Sequence, residues 1–145
     1  MAEGVSRLDS GLYLVTTQVE SEAVDPATGT LIDTGGDTAT SGVCLSEADD
    51  RRIGPDSFAD PACTFAHIRP DPYGVAFDAV CAYPYALMAG EGTLAVDPTR
   101  PTEFHEAFTL RGEGAYALQR VTIRGRRIGA CPSDAPLAGP EKPGP

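Results

Sequence analysis

The segment Glu103-Phe104-His105-Glu106-Ala107-Phe108 sets two carboxylates around an imidazole. Alternate residues of a strand share a face, so Glu103 and His105 point one way and Phe104, Glu106 and Phe108 the other. Glu103 and His105, joined by His67, have the donor types to ligate a metal or to form an acid–base pair, because imidazole changes charge near neutral pH. The favoured reading is plainer: a solvated strand face carrying one ordinary imidazole. Glu106 interrupts an apolar face bearing Phe104, Phe108 and Leu110. Burying an unpaired charge is costly, so this carboxylate is expected at a rim or buried with a partner. Arg120 and Arg124 are the partner candidates. His67 is expected on the face of Cys63, Phe65, Phe77 and Cys81, where a hydrogen-bonded core or rim residue is favoured over a catalytic one.

A second motif is Leu31-Ile32-Asp33-Thr34-Gly35-Gly36. Apolar-apolar-Asp-Thr-Gly resembles the active-site loop of retroviral-type aspartic proteases. There, two carboxylates share one proton because like charges in contact cannot both ionise. In that reading a homodimer supplies the second Asp33. The chain has no Gly-rich flap at the matching place, and a polar β-turn accounts for the same residues. Asp33 is therefore expected to be a turn residue. Arg111, Arg120, Arg124, Arg126 and Arg127 suit bidentate capture of carboxylate or phosphate. A solvated outer face is the plainer account of them. Tyr83, Tyr85, Met88 and Tyr116, with Phe104 and Phe108, are expected to line the mouth of a curled sheet or to pack in its core. No nucleotide-binding glycine motif and no nucleophile elbow occurs, so no cofactor is implied.

Four cysteines, Cys44, Cys63, Cys81 and Cys131, are spread widely, with no C-x-x-C pair to pre-organise a metal. Two disulfides and no metal are expected. Residues 63–69 and 75–81 read as strands flanking the turn Pro70-Asp71-Pro72-Tyr73-Gly74. A register with Arg69 opposite Val75 sets His67 opposite Phe77, Phe65 opposite Ala79 and Cys63 opposite Cys81. Opposed residues in such a pair are close enough to bridge. Cys44 then pairs with Cys131.

These residues must be carried by strands. Residues 11–20 are rich in β-branched and aromatic types, and residues 92–96, 103–110 and 115–123 follow the same pattern. Residues 30–32 and 38–45 read as one or two strands interrupted by Gly35-Gly36. Ser46-Glu47-Ala48-Asp49 has capping-box spacing and is expected to open one short helix. The expected fold is all-β: an antiparallel meander curled into a small barrel or half-barrel, with a β-sandwich as the alternative. Residues 1–10 form an N-terminal extension and residues 11–131 a single domain. After Cys131, five prolines in residues 132–145 cannot feed a sheet ladder, so a mobile tail is expected. The chain has 145 residues, is 41% apolar and carries a net charge of −10. That acidity argues against phosphate-led binding of nucleic acid, and no apolar run is long enough to span a bilayer.

Gly11-Leu12-Tyr13, Val43-Cys44-Leu45-Ser46, the central Cys63 and Cys81, and Gly125-Arg126-Arg127-Ile128-Gly129-Ala130-Cys131 together resemble the exported bacterial family known as domain of unknown function 3617. The likeness runs over about residues 10–131, with Ala130 where members usually carry Pro. It implies a small periplasmic, secreted or lipid-anchored protein and brings no catalytic residues. Residues 1–5 lack a basic and apolar leader pattern, so the chain is expected to be a mature form with its signal peptide removed. The function expected is non-catalytic: binding a small apolar or amphipathic molecule, or an envelope partner. The alternatives are a small barrel isomerase, lyase or hydrolase, the dimeric protease using Asp33, and a structural protein without a pocket.

Overall fold

The computed structural model describes residues 6–25, 27, 28, 30–45, 52–72, 74–84, 87–96, 99, 101–112 and 116–132. Its strands, in chain order, are β1 (Ser6–Arg7), β2 (Gly11–Val24), β3 (Leu31–Leu45), β4 (Arg52–Ile53), β5 (Cys63–Asp71), β6 (Gly74–Ala82), β7 (Leu87–Val96), β8 (Glu103–Gly112) and β9 (Tyr116–Gly129). Seven of them form one antiparallel sheet in the order β3-β2-β9-β8-β7-β6-β5, and β1 pairs with β4 as a separate two-residue ribbon. The fold is all-β, as expected. The sheet is open: β3 and β5 are its edges and do not meet. No helix occurs among the described residues. The expected helix at 46–49 lies outside them, as does the proline-rich stretch after Pro132.

Alternation explains the two faces. Val75, Phe77, Ala79 and Cys81 of β6, Phe104, Glu106, Phe108 and Leu110 of β8, and Val121 and Ile123 of β9 are all buried on one side. That side is concave. Phe65 of β5 makes edge contacts with Phe77 of β6, at 5.2 Å, and with Phe108 of β8, at 5.6 Å. Two strands lie between β5 and β8, so only a curled sheet brings these rings together.

The chain leaves the sheet at one edge, β3, and re-enters at the other, β5. The strap between them, described from Arg52, covers the concave face. Ile53, Gly54 and Pro55 are buried, and the Phe58 ring stacks on Phe104 at 4.9 Å. Leu8, just after β1, is buried in the same core.

Two expectations about strand detail are corrected. Gly35 and Gly36 do not break β3, because β2 offers an uninterrupted partner: Ser21 faces Gly35 and Glu20 faces Gly36. In the β5–β6 hairpin Cys63 faces Cys81 and Phe65 faces Ala79, but Arg69 faces Ala76 instead of Val75. His67 and Ile68 together oppose the single residue Phe77, which is a β-bulge. His67 takes up the extra residue with a positive φ of 51°.

Candidate functional site

The β8–β9 and β9–β2 registers assemble a patch on the convex face. His105 faces Arg124, which faces Thr16; Glu103 faces Arg126, which faces Leu14. Ala95 of β7 lies opposite His105. These side chains, with Phe104 and Gly125, line an open groove of about 650 Å³. Glu103 and His105 do share a face. Partial burial, and then the adjacent Arg124 charge, lower the His105 pKa below its ordinary value, which favours the uncharged ring. Among the described residues neither Arg124 nor Arg126 has a carboxylate within ion-pair distance. Arg120, further along β9, lies 3.9 Å from Glu22.

His67 does not join this patch. The bulge turns it out of the concave face where alternation had placed it, and its side chain is 78% exposed. Its Nδ1 lies 2.7 Å from Asp78 Oδ2, and Arg69 reaches the same carboxylate at 3.5 Å. The hydrogen bond from His67 is the main reason that the Asp78 pKa is lowered. With two strands between β5 and β8, His67 and His105 do not converge. Among the described residues no group of three His, Cys, Asp or Glu side chains is placed to hold a metal ion.

Glu106 sits on the concave side between Leu94 of β7 and Ile123 of β9. It is fully buried, and neither carboxylate oxygen has a hydrogen-bond partner. The expected partners are corrected. Arg120 and Arg124 alternate with Val121 and Ile123, so both project from the convex face. Burial, and then the negative charge of Asp56 on the strap, push the Glu106 pKa up to about 8. At neutral pH Glu106 is a carboxylic acid.

Met88, Phe104 and Phe108 are buried in the concave core. Tyr83 lies beside it, and its hydroxyl donates to Gln119 Oε1 at 2.9 Å. The Gln119 amide reaches Ser21 Oγ at 3.4 Å. Gln119 gave no sequence signal, because a buried glutamine looks like any other polar strand residue. Tyr85 and the side chain of Tyr116 lie outside the described residues. Asp33 is a strand residue opposite Ala23, which corrects the turn expected there.

The cysteines pair as Cys63–Cys81, with S–S 2.03 Å, and Cys44–Cys131, with S–S 1.98 Å. The second bridge ties the end of β3 to the residues just beyond β9. It therefore joins Cys44-Leu45 to Arg127-Ile128-Gly129-Ala130-Cys131, the two segments that carry most of the sequence likeness. A family model described as "Protein of unknown function (DUF3617)" matches residues 8–131. The chain belongs to this family. The DUF3617 match runs from the buried Leu8 to the bridged Cys131, and so takes in every strand from β2 to β9. Membership brings no assigned chemistry to the convex groove or to Glu106. No curated protein and no solved structure matches the chain.

Proposed function

We propose that this DUF3617 domain is an exported, non-catalytic binding module for an amphipathic anion. Its seat is the convex groove. Arg124 and Arg126 hold a carboxylate or phosphate head group, and Leu14 and Ala95 offer the apolar floor for a short hydrocarbon body. The observation that carries this reading is the pair of guanidinium groups without a carboxylate partner among the described residues, in a chain of net charge −10. Glu103 faces Arg126 in the same groove without pairing with it, so two arginines against one carboxylate leave the groove net positive and suit an anion from outside. His105, whose uncharged form is favoured, adds a hydrogen-bond donor. The two disulfides support export to an oxidising compartment.

The enzyme reading is weaker. Glu103 and His105 share the groove, but no serine, cysteine or second carboxylate accompanies them among its lining residues, and the one hydroxyl there, of Thr16, lies opposite Arg124. A calorimetric titration with octyl phosphate, octanoate and octanol tests the proposal. The two anions bind and octanol does not; equal binding of octanol removes the role given to the arginines.

A further inference from the structure

Glu106 needs an explanation that the convex groove does not supply. It is fully buried, and both its oxygens lack a partner. An acid in that state costs stability, and an apolar residue of similar size fits the same wall at no such cost. Its walls are apolar: Leu94 and Ile123 lie beside it, and Phe104 and Phe108 lie along its own strand. The charged group that acts on it is Asp56, of the same sign, on the strap above. A buried acid therefore feels an exposed one of the same sign. The basic residues of the neighbouring β9, Arg120, Arg124 and Arg126, are exposed on the other side of the sheet.

The strap itself is lightly held. Its hydrogen bonds are local: Ser57 N donates to Gly54 O, Gly54 N to Ser57 Oγ, and Ala62 N to Asp60 Oδ1. Among the described residues, positions 54–59 have no hydrogen bond to the seven-stranded sheet, and Asp60 O accepts one from Cys63 N of β5 at 2.9 Å. Positions 54–59 grip the sheet by packing, chiefly Pro55 and the Phe58 ring on Phe104. Just downstream the grip is firm, through Ala82 N donating to Ala62 O and the Cys63–Cys81 bridge. Upstream, Arg52 and Ile53 pair with Arg7 and Ser6 and Ile53 is buried, so the strap is a flap held at both ends and gripped by packing between them.

We propose that the strap 54–60 is a lid over a second binding position on the concave face, where Glu106 releases its proton to solvent and becomes the counter-ion for the ammonium group of an amphipathic amine. The ligand's hydrocarbon body replaces the Phe58 ring against Phe104 and Phe108. Its ammonium group takes up the two unsatisfied oxygens and also neutralises Asp56. A neutral alcohol satisfies the hydrogen bonds but leaves the negative charge of Asp56 uncompensated, so the amine is the better match.

The test uses the full chain and three probes: octylammonium, octanol and octanoate. Octylammonium binds with a stoichiometry of one and raises the melting midpoint, and octanol binds at least tenfold more weakly. Glu106→Gln weakens octylammonium at least tenfold and leaves octanol unchanged. Glu106→Met serves as a second variant, with the folded state checked by circular dichroism and intact disulfides. Phe58→Ala speeds octylammonium association. Arg124→Ala, which disables the convex groove, leaves octylammonium binding unchanged, so the two sites succeed or fail separately. Three results overturn the inference: no octylammonium binding to the folded chain, equal binding of octanol, or unchanged affinity in both Glu106 variants. If neither variant folds, the comparison of octylammonium with octanol on the natural chain decides.

Discussion

The Phe104 ring lies directly over Gly125, its cross-strand partner on β9. A Cβ built on Gly125 would stand 2.6 Å from ring atom Cζ and closer still to Cε2. The ring is sandwiched, with Phe58 of the strap stacked on it at 4.9 Å. Glycine is required here for close approach.

Gly125→Ala should therefore destabilise the domain by about 1–3 kcal/mol, the usual cost of overpacking a core. Urea denaturation measures it. A compensating Phe104→Leu in the same chain should recover part of the loss, because the clash is with the ring. No recovery would mean that the strain lies elsewhere.

Gly11 at the start of β2 is a second such position. Its φ is +151°, and an added Cβ would meet Gly129 O at 2.8 Å and the Arg127 side chain. Arg127 Nε donates to Ser10 O at 2.7 Å across that gap. Gly11→Ala should cost more than Gly42→Ala, whose nearest neighbour would be Leu12 at 3.8 Å. Melting midpoints of the two variants give the order, and the reverse order would contradict the register at this end.

Glu106 sets a pH dependence of stability. Its folded pKa of about 8 stands above the ordinary glutamate value of 4.5. Between those values the folded state holds a proton that the unfolded state has lost, so stability falls as pH rises through the window. Below about 4.5 no penalty is present, and above about 8 it is complete. At about 1.4 kcal/mol per pKa unit the total is a few kcal/mol. Glu106→Gln should match the natural chain near pH 4 and exceed it at pH 8. The observable is the difference between the two urea curves at each pH; a difference that stays constant would refute the burial of an unpaired acid.

The two bridges should contribute unequally. Cys44–Cys131 closes 87 residues and Cys63–Cys81 closes 18. Loop-closure entropy gives roughly 4–5 kcal/mol for the long loop and about 3 for the short one. Replacing Cys44 and Cys131 by Ser should lower the denaturant midpoint more than replacing Cys63 and Cys81. Peptide mapping without reduction checks the pairing directly, and a Cys44–Cys63 linked peptide would contradict it.

Much of this architecture was legible in the residues. Period-two alternation exposed the β5–β6 hairpin and its opposed cysteines, and it set Glu106 on the apolar face with Phe104 and Phe108. The bulge was not legible. One extra residue inverts everything after it, and the left-handed position is taken by His67, where a glycine would have announced it. The partners offered for Glu106 failed because which β9 residues face inward depends on the β8–β9 register. Ile123 lies opposite Glu106, which sends Arg124 to the convex side. The same register brings Arg124 to His105 and Arg126 to Glu103, so the groove could not be assembled before the strands were aligned. Gly35-Gly36 suggested a break that the continuous pairing with β2 overrides.

The central claim is that Arg124 and Arg126 form an anion seat on the convex face. Calorimetry of octyl phosphate against the natural chain and the Arg124→Ala/Arg126→Ala variant tests it most directly. Each charge-assisted contact contributes about 1.5–3 kcal/mol. Binding to the natural chain should therefore weaken at least tenfold in the variant, with the melting midpoint nearly unchanged because both side chains are exposed. Equal affinity for the two proteins, or no binding to the natural chain, would contradict the account.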